Sequence, residues 1–256
     1  MSKMIKRILV SQPKPASEKS PYYQIIEEAK VEINFKPFFK IKPITVRHFR
    51  DQKIDILQHT AIVLNSRTMV DHLFELFKEL RLEPDASVKY FCSSEMITLY
   101  LQKYITVRKR KVFFPEKGSG TPDLLALIKK HGKETFFIPS TEGYKDDLFE
   151  QLDAEGIAYT KGILSSVEYT QFDPGEIEGY DMLLFFSPNG VQSLLENLPE
   201  YKQGHQQIGC LGEGTRRALE EHGLQVHLAV PNAQFQSITQ ALEHHLSLQK
   251  EGKAEK

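Results

Sequence analysis

Short, unbroken apolar runs recur along the chain, and residues at helical spacing follow them. The clearest run covers residues 182–186 and ends at Ser187-Pro188, after which apolar residues return at helical spacing. A run without polar alternation is typical of a parallel strand that is buried on both faces. Serine is a favoured N-cap, and proline is a favoured first helical residue. The pattern therefore predicts a buried strand that enters a helix through a tight turn.

The same alternation of strands and helices extends over the whole chain. Further strands are predicted at residues 6–10, 61–64, 88–92, 112–114, 135–138, 208–211 and 226–230. Strands that alternate with helices indicate α/β architecture with parallel sheets. We expect the last helix to begin at Pro231-Asn232, and we expect the charged tail, residues 250–256, to lack fixed structure.

A faint internal repeat predicts two similar lobes. Ser66 and the apolar residues after it match Ser187 and its followers at a constant offset of 121 positions (187 − 66). Repetition within one chain favours two copies of one architecture. Two extended segments, residues 32–41 and 157–169, flank the first lobe and are expected to run side by side as a two-strand hinge.

The expected fold class is α/β, with two similar parallel-sheet lobes joined by a two-strand hinge and an active-site cleft between the lobes. One lobe is discontinuous in sequence, because the first strand and helix are expected to join the second half of the chain. The predicted boundaries are residues 1–36 with 172–256 for that lobe, 42–164 for the inserted lobe, and 37–41 with 165–171 for the hinge strands.

Composition and charge exclude several classes of protein. The chain has 256 residues, of which 40% are hydrophobic and 26% charged, and its net charge is −1. These values are ordinary for a globular protein, and they give no argument for binding nucleic acid or an anionic membrane. No apolar run approaches the roughly 20 residues of a membrane helix, and the start is too short for a signal peptide. We expect a cytoplasmic monomer.

The cysteines and glycines argue against a metal or nucleotide site. Cys92 and Cys210 are the only cysteines, and their distant spacing fits neither a zinc site nor a redox pair. We expect two buried thiols, no metal and no cofactor. The segment Gly212-Glu213-Gly214 resembles the start of a dinucleotide fingerprint, but Arg217 stands where a third glycine is required.

The candidate chemistry consists of hydroxyl residues that follow the predicted strands: Ser66, Ser140, Ser187 and Thr215. One interpretation is that each of these residues is simply a helix N-cap, a role that needs no ligand. Alternatively, the helix starts that they mark present N–H groups to an anion at the carboxyl edge of a sheet. Tyr169, in the second hinge segment, is either a packing residue or a phenol that donates a proton.

Several short motifs resemble those of the uroporphyrinogen-III synthase family. Residues 184–191, LFFSPNGV, look like its "FFSPSGV" turn, and residues 211–219, LGEGTRRAL, are similar to its "IGxTTAxAL" segment. Residues 8–13 resemble its opening "VLVTRP", and Tyr169 falls where the family carries a hinge tyrosine. The resemblance spans almost the whole chain.

The resemblance implies a cofactor-free lyase that acts in tetrapyrrole and haem biosynthesis. Its substrate is hydroxymethylbilane, a linear tetrapyrrole with eight carboxylates, which loses water and closes with inversion of its last ring to give uroporphyrinogen III. Tyr169 is implied as the catalytic acid. The substrate contacts implied are Ser66, Ser187, Asn189, Gly190, Gly212 and Thr215.

Two alternatives without this chemistry remain open from the sequence. A hinged small-molecule binding module would also have two similar lobes. A regulatory or interaction protein derived from the synthase fold would keep the same motifs and lack the reaction.

Overall fold

The computed structural model describes residues 4–106, 108, 110–116, 121–144, 147–173 and 175–254. Its strands are, in chain order, β1 (Arg7–Val10), β2 (Glu32–Phe35), β3 (Phe39–Pro43), β4 (Ala61–Leu64), β5 (Lys89–Cys92), β6 (Val112–Phe113), β7 (Phe136–Glu142), β8 (Tyr159–Tyr169), β9 (Met182–Phe185), β10 (Gln207–Leu211) and β11 (Leu228–Val230). Its α-helices are α1 (Pro21–Ala29), α2 (Val46–Asp51), α3 (Arg67–Leu80), α4 (Glu95–Leu101), α5 (Thr121–Lys130), α6 (Asp147–Ala154), α7 (Pro188–Asn197), α8 (Glu213–Glu221) and α9 (Ile238–Ala254), and Ile56–Gln58 form a 3₁₀ turn.

The chain divides into two compact units, one of residues 1–40 with 169–256 and one of residues 41–168. The first contains a five-stranded sheet in the order β11-β10-β9-β1-β2, and the second is built on a six-stranded sheet in the order β3-β8-β7-β4-β5-β6. All neighbours in the first sheet run parallel, as do β8, β7, β4, β5 and β6 in the second. The predicted class, α/β with parallel sheets, is confirmed.

Strand β9 is buried on both faces, as its unbroken apolar run predicts. All four of its residues have no solvent exposure. Leu183 and Phe185 pack into one hydrophobic cluster, and Met182 and Leu184 pack into another. Because successive side chains of a strand point to opposite faces, each face receives alternate residues, and helices cover both.

Strand β4 repeats this arrangement in the second unit. Ala61 and Val63 belong to one cluster, whereas Ile62 and Leu64 belong to another. Helix α3, which follows β4, contributes apolar residues to the same cluster as Ile62. A strand with two buried faces and a covering helix is therefore the building element of each unit.

The segment 32–41, predicted as one extended stretch, is two strands in different sheets. Strand β2 pairs with β1, and β3 pairs with β8. Pro37 lies between them, and proline lacks the N–H that a continuous ladder would use. The buried Phe38 ring fixes the break, with its centroid 4.7 Å from that of Phe172 and 5.6 Å from that of Phe185.

Two predicted element boundaries are wrong. Strand β7 continues to Glu142, because residues 139–142 still pair with β8, so Ser140 lies inside a strand and not at its end. The last helix begins at Ile238 and not at Pro231-Asn232. The Asn232 carboxamide oxygen accepts the N–H groups of Gln234 and Phe235, and this bonding holds a turn in place of a first helical turn.

The charged tail was expected to lack structure, but α9 continues to Ala254. The last two residues of that tail, 255–256, lie outside the described residues. No helix in the described ranges has the length and apolar character needed to cross a membrane.

Candidate functional site

Three neighbouring strands of the first unit end at one edge of the sheet. Strands β10, β9 and β1 are adjacent and parallel, so the residues that follow them meet. Gly212 and Ser11 directly follow β10 and β1, and Ser187 lies two residues after the end of β9. The Ser11 N–H donates to the Leu184 carbonyl at 3.0 Å, and the Gly212 N–H donates to the Val230 carbonyl at 2.7 Å. Ligands bind at such carboxyl edges in open parallel sheets.

Helix α7 starts at this edge with the predicted cap. Ser187 has extended backbone, and its hydroxyl accepts the Gly190 N–H at 3.3 Å, while Pro188 occupies the first helical position. The cap thus satisfies one N–H of the first turn. The Asn189 N–H has no acceptor within the helix, because the first turn of any helix lacks preceding carbonyls. It is therefore available to a bound anion.

Helix α8 starts beside α7 without a side-chain cap. Gly212 at the N-cap has a φ of 88°, which favours glycine, and it has no side chain that could accept a first-turn N–H. A methyl group placed on Gly214 would lie 3.7 Å from Cγ of Pro188, so the two helix starts are adjacent. Two partial positive helix ends therefore face the same place.

The charge nearest the α8 start is compensated. The Glu213 carboxylate would oppose an anion, but it is paired with the Arg216 guanidinium at 2.6 Å. This pairing also lowers the pKa of the Glu213 carboxyl. The first turn of α8 can thus attract an anion through its backbone.

Three buried polar side chains surround these helix starts: Ser11, Asn189 and Thr215, with exposures of 7%, 9% and 3%. Within the described part of the chain, none of the three side chains makes a hydrogen bond, and none of their polar atoms is fully enclosed. Buried side chains normally have their polar groups paired within the protein. Because the polar atoms of these three residues are not enclosed, they reach solvent and can accept or donate to a ligand.

Ser11 was not predicted as a site residue. The signal was present, because Ser11 directly follows a predicted strand, but no helix start follows it to mark a cap. The structure brings it to 3.6 Å from the position that a methyl group on Gly190 would occupy.

Tyr169 lies at the end of β8 and flanks the second half of α7. The Ser193 hydroxyl donates to the Phe38 carbonyl at 2.5 Å, and the Asn197 amide donates to the Thr170 carbonyl at 2.9 Å. The Thr170 N–H donates to the same Phe38 carbonyl at 2.8 Å. These contacts hold the residue after the tyrosine beside α7, about 10 Å along the helix axis from the first turn. Burial raises the pKa of the Tyr169 phenol, and the Glu196 carboxylate raises it further.

Ser66 belongs to the other unit, where it has the same local role as Ser187. Its hydroxyl accepts the Met69 N–H at 3.2 Å and caps α3. Ser93 follows the neighbouring strand β5, and its hydroxyl donates to the Asn65 carbonyl at 3.2 Å. Ser140 differs, because its hydroxyl lies within β7 and donates to the Gly162 carbonyl at 3.4 Å.

The two cysteines and the possible metal ligands do not form a further site in the described part of the chain. Cys92 and Cys210 are free, buried thiols, as predicted, and burial raises the pKa of each to about 11. Among the described residues, no group of three or more His, Cys, Asp or Glu side chains is placed to hold a metal ion.

Comparison with known proteins identifies similar chains. The family model described as "Uroporphyrinogen-III synthase HemD" matches residues 20–240. The crystal structure of uroporphyrinogen-III synthetase from Helicobacter pylori is 15% identical with a TM-score of 0.61, over 95% of this chain and 100% of that one. A mutant uroporphyrinogen III synthase from Thermus thermophilus is 16% identical with a TM-score of 0.57, over 96% and 99% of the two chains. A search of curated protein sequences finds no match.

The capping role of Ser187 predicts a measurable loss of stability. Ser187→Ala removes the bond to the Gly190 N–H and should lower the free energy of unfolding by about 0.5–2 kcal/mol. Ser20→Ala is the matched control, because Ser20 occupies the N-cap of α1 in the same unit and makes no side-chain cap bond. Urea unfolding monitored by circular dichroism compares the two. Equal losses in both variants would contradict the cap.

Proposed function

Because the chain belongs to the uroporphyrinogen-III synthase family, we propose that it converts hydroxymethylbilane to uroporphyrinogen III through the carboxyl edge of its five-stranded sheet. The family is one of lyases in tetrapyrrole biosynthesis. The observation that carries the residue-level proposal is the set of unpaired buried side chains beside the starts of α7 and α8. The family match gives no support to a non-catalytic binding or regulatory role.

The reaction is first a problem of orientation. A linear tetrapyrrole that closes without inversion gives the wrong isomer, so the enzyme must hold the chain in the geometry of the inverted closure. Fixing the reacting groups in place lowers the activation free energy by about 7–11 kcal/mol in favourable cases. The carboxylates along the substrate are the groups through which the protein can position it.

We assign substrate carboxylates to the paired helix starts. The donors that we assign to them are the backbone N–H groups of Asn189 and Gly214, the Thr215 hydroxyl and the Asn189 amide, which belong to the first turns of α7 and α8. Each hydrogen bond to a charged group contributes about 1.5–3 kcal/mol. Backbone donors do this whatever side chains surround them, which accords with a net charge of −1 on a protein that binds a polyanion.

Gly190 and Gly212 have supporting roles in this proposal. Gly212 adopts the backbone conformation that lets α8 begin without a capping side chain. Gly190 keeps space beside Ser11, because a side chain there would fill the region between the Ser11 and Ser187 hydroxyls. Ser187 acts as the cap of α7, and Ser66 is the corresponding candidate contact in the second unit.

Tyr169 is the proposed acid that protonates the leaving hydroxyl. A phenol has an ordinary pKa of about 10 and is already protonated at neutral pH, as an acid must be, and burial raises the pKa of Tyr169 further. Proton donation of this kind contributes about 10²–10⁴-fold to a rate.

The buried free thiols fit a reducing compartment, and we propose a cytoplasmic monomer, since the contacts assigned here come from one chain.

The isomer formed tests the function directly. Purified protein is mixed with freshly prepared hydroxymethylbilane, and the products are oxidised and separated by chromatography. We expect the type III isomer in large excess over the type I isomer, which forms without catalysis. Product that is entirely type I, from protein shown to be folded, would rule the function out.

Removing the Tyr169 hydroxyl should slow the chemical step. Tyr169→Phe is expected to lower kcat about 10²–10⁴-fold with little change in KM. Tyr159→Phe is the matched control in the same strand. The Tyr159 hydroxyl donates a hydrogen bond to the Asp153 carboxylate at 3.0 Å and has no role in the proposed reaction. For the unmodified chain, the contribution of the acid should persist through neutral pH and decline only above the ordinary phenol pKa of about 10. Normal turnover in Tyr169→Phe would exclude the acid role.

Removing the Thr215 hydroxyl should weaken substrate binding. Thr215→Val keeps the shape of the side chain and should raise KM about three- to tenfold, with kcat nearly unchanged. Thr98→Val makes the same chemical change at an enclosed position in the other unit and should leave KM unaltered. A KM for Thr215→Val equal to that of Thr98→Val would remove Thr215 from the site.

A further inference from the structure

The second unit contains a pocket of about 430 Å³ that the proposed reaction does not use. It is formed by the second half of α3, the loop from α3 to β5, and residues between α4 and β6. Lys78 lines it and lies 11 residues after Arg67, so the pocket is about 16 Å along α3 from the helix start that Ser66 caps. It thus lies at the opposite end of α3 from the strand-end residues of β4.

Aromatic rings form its walls. The rings of Phe74 and Tyr104 are stacked, with centroids 4.6 Å apart and planes 6° apart. Phe77 meets Phe74 edge-on at 5.6 Å, and the Tyr90 ring lies 6.4 Å from that of Phe74 with its plane inclined by 25°. Flat walls of this kind favour a planar, apolar ligand, and the volume is in the usual range of about 300–1,000 Å³ for small-molecule sites.

Tyr90 places an unused donor in the pocket. The residue is only 5% exposed, yet among the described residues its hydroxyl has no hydrogen-bond partner. The hydroxyl is not one of the fully enclosed unpaired atoms of the described chain, so it opens to the pocket that its ring lines. The neighbouring Tyr104 hydroxyl differs, because it donates to the Asp71 carboxylate.

The rim carries a small excess of positive charge. Lys78, Arg108 and Lys111 line the pocket together with Glu83 and Asp85, which leaves one positive charge (3 − 2). Lys111 is held in place, because its ammonium group donates to the Ser87 carbonyl at 2.8 Å. An anionic substituent on a ligand would be compensated by this excess.

We propose that this pocket is a binding site for a planar aromatic molecule that carries one anionic group. The aromatic side chains pack against the ligand, the Tyr90 hydroxyl donates to it, and Lys78 with Lys111 pairs with its charge. The site is independent of the reaction proposed above, since no residue is shared between them.

The test uses 1-anilinonaphthalene-8-sulfonate, an aromatic anion, in fluorescence titrations of the full chain. We expect one site, with binding weakened about three- to tenfold by Tyr90→Phe. Lys78→Glu should weaken it about fivefold or more, because it replaces attraction by repulsion. The neutral analogue N-phenyl-1-naphthylamine should bind more weakly than the sulfonate.

Matched controls separate the pocket from general effects. Tyr22→Phe removes a hydroxyl from another buried tyrosine without a partner, and Lys130→Glu reverses an exposed charge outside the pocket. Both should leave the dissociation constant within about twofold of the unmodified value. Binding that Tyr90→Phe and Lys78→Glu do not change, or change no more than the controls, would overturn the site. Equal affinity for the neutral analogue would overturn its anionic specificity.

Discussion

Burial of parallel strands on both faces is the constraint on which the rest of this structure depends. Strands β9 and β4 have no polar face, so helices must cover both sides of each sheet. A helix that returns the chain to the start of the next parallel strand has to begin at the carboxyl edge. Strand ends and helix N-termini are thereby gathered at one edge of each sheet before any residue is selected for chemistry.

In the function proposed above, this geometry is what lets a nearly neutral protein bind a polyanion. The donors at the carboxyl edge of the first sheet are mostly backbone N–H groups, which every residue except proline supplies. The side chains refine the site, because Ser187 caps one helix and Gly212 leaves the next one open. The fold itself tolerates wide sequence change, because solved structures that share it are only 15–16% identical to this chain.

A feature could be predicted from the sequence when the residues that produce it are close together in the chain. The Ser187 cap was predictable because strand, cap, proline and helix are consecutive in the chain. Ser140 was misjudged because β7 is extended by pairing with β8, a contact the local sequence does not contain. Ser11 was missed because its significance comes from Gly190, which is distant in sequence. The pocket around Tyr90 combines three separate segments, so no local pattern marks it.

Amide chemical shifts test the central claim most directly, namely that the starts of α7 and α8 bind the carboxylates of the tetrapyrrole. A ¹⁵N-labelled sample is titrated with uroporphyrin III, the stable oxidised form of the product. The account predicts that the amide resonances of Asn189, Gly214 and Thr215 shift together and saturate, while that of Gly132 stays in place. Saturable binding that leaves the α7 and α8 amides unmoved would contradict it.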